Sequence, residues 1–353
     1  MSNKYFHLTV KEVVEETKDT KTIHFWHPIH NTVQYKAGQF LTVIPEIDGQ
    51  KPRRSYSFSS SPVTDSSPAI TIKRVENGLV SNYLCDHLKV GDTLEVMEPM
   101  GHFCVEPQSA AKKNYVFVGA GSGITPLFSM IKTILKSEPQ SSIELIYGSR
   151  FEDQIIFKSA LNELEKNYSD RFKILYIVSK PSASWAGLKG RINQASIVYY
   201  LKQELGTDIL NSHYFICGPE ELTQQVKSSL AIFEVPETQI HSELFTSSHH
   251  EPIQIDEEDG QMKERIIKIH YEGKTHELTV LPSQTILEAA LEADIDLPYS
   301  CQAGMCTACM GKCTAGKVGM DEEDGLTQGE IDKGYILTCV AHPLTDGVEI
   351  EIE

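Results

Sequence analysis

Thirteen residues near the C-terminus, CQAGMCTACMGKC (301–313), restrict the possible folds and functions of this chain more than any other stretch does. Cys301, Cys306 and Cys309 give the spacing C-x4-C-x2-C, and Cys339 follows further down the chain. Four thiolates at this spacing are a ligand set for a [2Fe-2S] cluster. The small, glycine-containing residues between them let backbone N–H groups turn toward the sulfides and stabilise added negative charge.

Cys313 lies outside that spacing, in the strand-like GKCTAGKV, and is predicted to be a partly buried thiol. A zinc site would favour two C-x2-C pairs or Cys combined with His, and His342 is the only imidazole nearby. Zinc and idle thiols remain as alternatives. Five of the eight cysteines fall in the last fifth of the chain, whereas a secreted disulfide scaffold spreads them through a short sequence. The distribution favours metal ligation in a reducing compartment.

The formal net charge of −17 is concentrated after residue 245, where residues 246–353 contain 22 Asp and Glu against seven Lys and Arg. Nucleic acid is therefore an unsuitable partner, because phosphate binding needs a basic surface. The acidic excess is either a solvated surface or a docking face for a basic protein. The N-terminus has no signal-peptide pattern and no run of eighteen apolar residues occurs, so we expect a cytoplasmic protein without membrane insertion.

Composition and periodicity divide the chain into four segments. Residues 1–108 hold short strand-like runs such as AGQFLTVIP and RRSYSFSS, which predict a small β-barrel. Residues 109–245 alternate strand and helix, which predicts an α/β domain with a parallel sheet. The acidic stretch 246–262 is predicted to be a linker. Residues 263–353 begin with a hairpin pattern around Glu272-Gly273, continue with a helical pattern in SQTILEAALEA and end with the strand VEIEIE. The fold class expected is thus multidomain, combining β and α/β parts.

Residues 263–353, with LPYSCQAGMCTACMGK and ILTCVAHP, resemble a plant-type ferredoxin domain of the β-grasp fold. A cluster that carries single electrons needs a donor, so the upstream segments are expected to supply one.

The stretch RSYS (54–57) combines an Arg, an aromatic ring and hydroxyls on one extended segment. These groups can pair a pyrophosphate, stack on a flavin ring and hydrogen-bond its polar edge. Further on, ITIKRVENGLVSNYL (70–84) ends a strand in basic residues and opens a helix whose N-terminus can hold phosphate. Together they resemble the FAD domain of the ferredoxin-NADP reductase superfamily. The resemblance implies Arg54 on the pyrophosphate, Tyr56 beside the isoalloxazine and Ser57 near its N5. The other FAD-binding residues implied are Ser55, Ile72, Lys73, Arg74, Gly78, Val80 and Ser81.

VFVGAGSGITP (116–126) has the pattern of a strand, a glycine loop and a helix start, although it departs from G-x-G-x-x-G. A glycine turn that only joins strand to helix is the alternative. The order RSYS, glycine loop, CGPEEL (217–222) and HSELF (241–245) is that of the same superfamily. By that resemblance Cys217 lies near the nicotinamide, and Glu243 and Phe245 line the flavin. Ser57, Cys217 and Glu243 are the candidate catalytic residues. The implied nucleotide-binding residues are Gly119, Gly121, Ser122, Gly123, Thr125, Ser149, Arg150, Cys217, Gly218 and Pro219.

These resemblances imply an NAD(P)H-dependent reductase that passes electrons through FAD and a [2Fe-2S] cluster to a partner oxygenase, hydroxylase or desaturase. The domain order, YGSR and CGPEEL are similar to the phenylacetyl-CoA epoxidase reductases and related hydroxylase reductases. The cofactors would carry the chemistry and the protein would position them. Two alternatives are a stand-alone reductase of quinones or free flavin, and an electron carrier fed by another reductase.

The strand IELIYGSR predicts a preference for NADPH, with NADH possible. NAD-specific sites usually place Asp or Glu at the end of this strand for the ribose 2′-hydroxyl. Here it ends in Ser149 and Arg150, which suit a 2′-phosphate. Glu152 and Asp153 lie close by in sequence and oppose that charge.

Overall fold

The computed structural model describes residues 5–28, 32–205, 208–245, 264–302, 304, 306–321, 325–326 and 328–352, without the side chains of residues 204 and 205. The linker predicted at 246–262 lies outside the described residues. The chain forms two compact units, one of Met1–Pro99 with Phe103–Phe245 and one of Met100–His102 with Thr246–Glu353.

The first half of the larger unit is a six-stranded antiparallel sheet in the order β4-β3-β6-β1-β2-β5. Its elements are β1 (Tyr5–Thr17), β2 (Thr20–Phe25), β3 (Phe40–Ile44), β4 (Arg54–Ser57), β5 (Ala69–Lys73), α1 (Leu79–His87) and β6 (Thr93–Met97). The two outer strands meet, since Phe58 bridges Ile70 and the Ser59 amide donates to the Ala69 carbonyl at 2.9 Å. The sheet therefore curls into the barrel that the sequence predicts.

The second half of the larger unit is a parallel sheet in the order β10-β9-β8-β7-β11-β12. Its strands are β7 (Asn114–Ala120), β8 (Ser142–Ser149), β9 (Phe172–Val178), β10 (Leu188–Lys189), β11 (Ser212–Gly218) and β12 (Ile240–Leu244). Its helices are α2 (Ile124–Ser137), α3 (Lys158–Asn167), α4 (Gln194–Tyr199) and α5 (Glu220–Ile232).

Both faces of this parallel sheet are covered, as its central strand shows. Alternate residues of a strand point to opposite faces. Tyr115 and Phe117 of β7 join one core with residues of α2 and α3, while Val116 and Val118 join another with residues of α4 and α5. The α/β domain is thus wound on both sides, as a near-continuous apolar strand requires.

The smaller unit is a mixed sheet in the order β14-β13-β19-β15-β17, with β16 and β18 paired beside it. Its elements are β13 (Arg265–Tyr271), β14 (Lys274–Val280), α6 (Ile286–Glu292), β15 (Met310–Ala315), β16 (Val318–Met320), α7 (Gln328–Ile331), β17 (Tyr335–Leu337), β18 (Ala341–Pro343) and β19 (Glu349–Ile352). The predicted hairpin turn is confirmed, since Glu272 and Gly273 both have positive φ, as a two-residue hairpin loop requires. Thr285 and Glu288 cap α6 reciprocally. The fold class is confirmed.

Candidate flavin, nucleotide and iron–sulfur sites

The RSYS stretch forms β4, an outer strand of the barrel sheet. Arg54 is exposed, Ser55 and Tyr56 are half-buried, and Ser57 is buried. Burial raises the pKa of the Tyr56 phenol, so the ring stays neutral at physiological pH. The strand thus presents a cation at its start and, three residues on, a buried hydroxyl.

The second flavin segment runs from the end of β5 into α1. Gly78 is the N-cap of α1, and among the described residues no side chain caps this helix. A Cβ at Gly78 would lie 2.7 Å from Ser81 Oγ, so the tight entry into the helix needs glycine. The Ser81 hydroxyl accepts from the Val75 amide at 3.1 Å. A helix N-terminus without a side-chain cap is suited to binding phosphate, and this role stays a prediction for α1.

Two basic residues at the end of this strand already have acidic partners. Lys73 lies 3.7 Å from Asp19, and Arg74 forms an ion pair with Asp86. Arg74 also reaches the side-chain oxygen of Asn82 at 3.4 Å. Ile72 is fully buried and supports the strand from inside. Arg74 is thus held against α1, whereas Lys73 is held at the turn between β1 and β2.

The glycine loop crosses from β7 to α2 through a 3-10 turn at Gly121–Gly123. Gly121 has φ of 56°, and a Cβ at Gly123 would lie 2.1 Å from the Cys217 carbonyl oxygen. The loop can therefore press against β11 only with glycine at 123. Thr125 Oγ1 donates to the Ser122 carbonyl at 2.9 Å and tightens the start of the helix.

Cys217 and Glu243 are direct neighbours on β11 and β12. Both side chains are buried. Burial, and then the Glu243 carboxyl, raise the pKa of Cys217 well above its usual range. A thiol in this position stays protonated, so it acts as a small neutral side chain and not as a nucleophile. Pro219 caps α5 directly after Gly218, and Phe245 follows β12 with a partly exposed ring.

Ser149 and Arg150 lie at the carboxyl end of β8. The Ser149 hydroxyl donates to the Phe151 carbonyl at 2.9 Å, and the exposed Arg150 guanidinium lies 5.5 Å from the centre of the Phe151 ring. Both carboxylate oxygens of Glu152 accept from the Ser182 amide at 3.1 Å. The Glu152 carboxylate, whose negative charge would oppose that of Arg150, is thus held by the loop that contains Ser182.

The four spaced cysteines come together in the smaller unit. Hydrogen bonding with Cys301, followed by burial, raises the pKa of Cys306. Hydrogen bonds with Cys301 and Cys309, followed by burial, raise the pKa of Cys339. The Thr338 amide and hydroxyl both donate to the Cys309 carbonyl at 3.1 Å, which holds the two ligand-bearing segments side by side.

Among the described residues, no three Cys, His, Asp or Glu side chains form a site for a single metal ion. The four are free thiols that lie in contact with one another, Cys301 with Cys306 and Cys339, and Cys339 also with Cys309. All but Cys301 are buried. Four thiols, three of them buried, on the 301–309 loop and the turn Thr338–Val340 are the donor set of a [2Fe-2S] cluster, so the residues fit that group. Cys313 lies on β15, half-buried, and its thiol donates to the Ala315 carbonyl at 3.3 Å. This geometry agrees with the prediction that Cys313 is a partly buried thiol.

Comparison with known proteins identifies the family. Three family models match in succession: an oxidoreductase FAD-binding domain at residues 7–104, an oxidoreductase NAD-binding domain at 117–228 and a 2Fe-2S iron-sulfur cluster binding domain at 269–344. The chain is 34% identical to a subunit of the 1,2-phenylacetyl-CoA epoxidase of Escherichia coli (strain K12), over 99% of this chain and 98% of that protein. It is 35% identical to 3-ketosteroid-9-alpha-monooxygenase, ferredoxin reductase component, of Rhodococcus rhodochrous, over 98% and 96%. The chain belongs to the ferredoxin-NADP reductase-like flavoproteins with a C-terminal [2Fe-2S] ferredoxin domain.

A solved structure supports the fold of this reductase. The crystal structure of an intact type IV self-sufficient cytochrome P450 monooxygenase matches with a TM-score of 0.73 at 22% identity. The match covers 99% of this chain and 41% of that one, so the reductase spans less than half of that protein.

The reductase is an NAD(P)H-dependent oxidoreductase with FAD and a [2Fe-2S] cluster, as the sequence predicts. The match to a 2Fe-2S domain excludes the two alternatives for the cysteines, a zinc site and thiols without a ligand role. The family models assign no role to single residues, so the residue roles stay predictions. In the described part of the chain, no helix combines the length and apolarity needed to cross a membrane.

One residue near the nucleotide segment was missed from the sequence. The Lys180 amide donates to the Arg150 carbonyl at 2.8 Å, so Lys180 stands beside Arg150 where β8 and β9 end. Its side chain is exposed. The sequence does show a lysine shortly after β9, the third strand of the α/β domain. Its position next to Arg150 can be recognised only when β9 is known to pair with β8.

Proposed function

We propose that this reductase is the electron-transfer component of a multicomponent oxygenase. It would take electrons from NADPH through FAD and the [2Fe-2S] cluster and pass them to a separate oxygenase, hydroxylase or desaturase. The observation that carries the proposal is collinearity with two relatives over nearly their whole length, both named as parts of an oxygenase system. A stand-alone quinone or flavin reductase would have no need of the ferredoxin domain.

The working boundaries are a FAD-binding barrel at 1–108, a nucleotide-binding domain at 109–245, a linker at 246–262 and a ferredoxin domain at 263–353. The family matches at 7–104, 117–228 and 269–344 fall inside these limits, which supports them.

In the flavin site, Arg54 would pair the pyrophosphate and Tyr56 would lie along the ring as a neutral surface. Ser57 would hydrogen-bond the polar edge near N5. The first turn of α1, from Gly78 to Ser81, would hold phosphate oxygens on its amides, because a helix N-terminus favours negative charge. FAD, when bound, exchanges a hydride with the nicotinamide and releases electrons singly.

In the nucleotide site, the loop from Gly119 to Thr125 would hold the pyrophosphate of NADPH. Cys217 supplies a small neutral side chain beside the loop, and its raised pKa keeps negative charge away from the nicotinamide. Glu243 lies next to it, buried, and would orient the flavin edge together with Phe245. Ser149, Arg150 and Lys180 would bind the 2′-phosphate.

The partner would dock on the acidic smaller unit. Exposed carboxylates there include Asp346, whose side chain is 91% exposed although it pairs with Arg265 at 3.2 Å. Complementary charge speeds association and selects a basic partner surface. The location we propose for the whole system is the cytoplasm.

Two acceptors and one variant test the proposed path. The full chain and Cys339→Ser are assayed with NADPH and either ferricyanide or cytochrome c. Ferricyanide can take electrons from the flavin, whereas a one-electron protein acceptor is expected to need the cluster. We expect Cys339→Ser to keep ferricyanide activity and to lose most cytochrome c activity. Equal cytochrome c activity in both proteins would favour a reductase that works without its cluster.

A further inference from the structure

The loop that continues directly from β4 is joined to helix α2 by polar contacts within the larger unit. We call residues 58–65 the serine loop. Ser129 Oγ donates to the Ser60 carbonyl at 2.5 Å, and the hydroxyls of Ser61 and Thr133 lie 2.7 Å apart. Lys132, between these two helix residues, forms an ion pair with Asp65 at the end of the loop.

The hydroxyl contacts are buried, and the ion pair is partly exposed, since the Asp65 side chain is 32% exposed. Ser60, Ser61, Ser129 and Thr133 are each at most 2% exposed, and the Lys132 side chain is 14% exposed. Hydrogen bonds between buried hydroxyls are satisfied only in one relative placement, and loss of that placement leaves buried polar groups unpaired, which is unfavourable. The contact between loop and helix is therefore specific in position and not a sliding apolar surface.

The serine loop is also fixed on the barrel side. Ser60 Oγ lies 2.6 Å from the Tyr35 hydroxyl and accepts from the Ala69 amide at 2.8 Å. Asp65 Oδ2 accepts from the Ser61 amide at 2.6 Å while it pairs with Lys132. A displacement of α2 would therefore be transmitted to the barrel, because the loop between them has little freedom.

The two ends of this connection lead to the two predicted binding segments. The loop follows Ser57 without a break, and α2 starts at Ile124, directly after the glycine loop. Ser129 lies five residues into the helix, about 7.5 Å from its start at a rise of 1.5 Å per residue. Within this distance a helix is rigid, so its first turn and the serine-loop contacts move together.

We infer that Asp65 and Lys132, with Ser61 and Thr133, are positioning residues for hydride transfer. They set the place of the nucleotide-binding turn relative to the flavin-binding strand. In the step concerned, a hydride with its electron pair leaves C4 of the nicotinamide and bonds to N5 of the flavin, leaving NADP⁺. The inference rests on the proposed function in one respect, that NADPH is the hydride donor to FAD.

The test is anaerobic rapid mixing of full-length, FAD-loaded protein with NADPH. Three quantities are measured: the limiting rate of flavin bleaching, the apparent Kd for NADPH, and the long-wavelength absorbance of nucleotide stacked on flavin. Lys132→Met keeps the apolar stem on the Phe128 ring, over which the ammonium now lies at 4.4 Å, and removes the charge. Misplacement of reacting atoms by about 1 Å can cost a hundredfold in rate. For a partial displacement we expect the limiting rate to fall about tenfold, with the stacking band weakened and Kd changed less than about threefold.

Two further variants support the comparison. Thr133→Val removes one hydroxyl and no charge, and we expect a smaller fall in the same rate, about threefold. Lys51→Met is the matched control, because it removes a lysine that pairs with Glu95 at 2.8 Å inside the barrel half alone. It should leave all three quantities unchanged.

Limiting rates equal to wild type in both Lys132→Met and Thr133→Val would overturn the inference. So would a rise in Kd alone, which would make Lys132 a nucleotide-binding residue. If Lys132→Met loses FAD, the Thr133→Val rate decides. A wild-type flavin that NADPH does not bleach would instead contradict the proposed function, which keeps the two failures distinct.

Discussion

Replacing Arg150 with alanine tests the proposed recognition of the 2′-phosphate. NADPH differs from NADH only by this group, so a residue that binds it should affect one nucleotide and spare the other. Arg150 follows β8 directly, is exposed, and has its guanidinium 5.5 Å from the centre of the Phe151 ring. The ring holds the guanidinium near the strand end without occupying its N–H groups, which remain available for phosphate oxygens.

The magnitude follows from the local contacts. A hydrogen bond to a charged group contributes about 1.5–3 kcal/mol, and the exposure of Arg150 favours the lower end. At about 1.4 kcal/mol per factor of ten, kcat/KM for NADPH should fall roughly tenfold. Glu152 opposes this effect only weakly, because its carboxylate accepts from the Ser182 amide. Lys180 keeps part of the positive charge in place, so the loss should not greatly exceed that value.

The assay is kcat/KM for NADPH and NADH in wild type, Arg150→Ala and Arg150→Lys, with ferricyanide as acceptor. We expect Arg150→Ala to leave NADH within about twofold, and Arg150→Lys to recover part of the NADPH activity, because lysine keeps the charge and loses the fork geometry. Equal losses for the two nucleotides in Arg150→Ala would refute the reasoning.

Three further predictions concern the cluster, the partner surface and pH. Cys339→Ser should abolish the visible iron–sulfur spectrum and Cys313→Ser should preserve it, and the reverse pattern would make the ligand assignment wrong. Electron transfer to a basic partner protein should slow as salt rises above ~0.1 M, where the screening length is about 10 Å, while flavin reduction by NADPH changes much less; equal salt dependence would argue against an acidic docking face. Burial lowers the pKa of His24, His213 and His241, so as pH falls below about 6.5 the unfolded chain binds protons before the folded one and the larger unit loses stability. Its Tm, followed by release of FAD fluorescence, should be lower at pH 5.5 than at pH 7.5, less so in His213→Gln/His241→Gln, and a Tm that rises on acidification would contradict the sign.

The sequence predicts best where backbone geometry or ligand number leaves few choices. The four spaced cysteines are one case, because a two-iron cluster takes four thiolates. Gly123 is another: the loop needs glycine there, since any Cβ would meet the Cys217 carbonyl. The hairpin at Glu272-Gly273 follows from turn chemistry in the same way. In each case local chemistry decides the structure, so a short stretch is enough.

Contacts made across long sequence separations could not be predicted. Lys73 and Arg74 look like free phosphate-binding cations in the sequence, yet the fold gives them Asp19 and Asp86. Lys180 gains its interest only when β9 is known to pair with β8. The serine loop has the sequence of a polar turn, and nothing local shows that its hydroxyls meet a helix some seventy residues away. These features depend on strand order and packing, which the residues involved do not encode alone.

The central claim is that electrons pass from NADPH to FAD and only then to the cluster. The most direct measurement is rapid mixing of NADPH with the full chain under anaerobic conditions, with flavin absorbance and the electron paramagnetic resonance of the reduced cluster followed together. The same experiment is repeated on protein from which FAD has been removed and the cluster retained. The account predicts flavin bleaching first, cluster reduction second, and neither signal without FAD. Cluster reduction at an undiminished rate in the FAD-free protein, or a bleached flavin beside a cluster that stays oxidised, would contradict it.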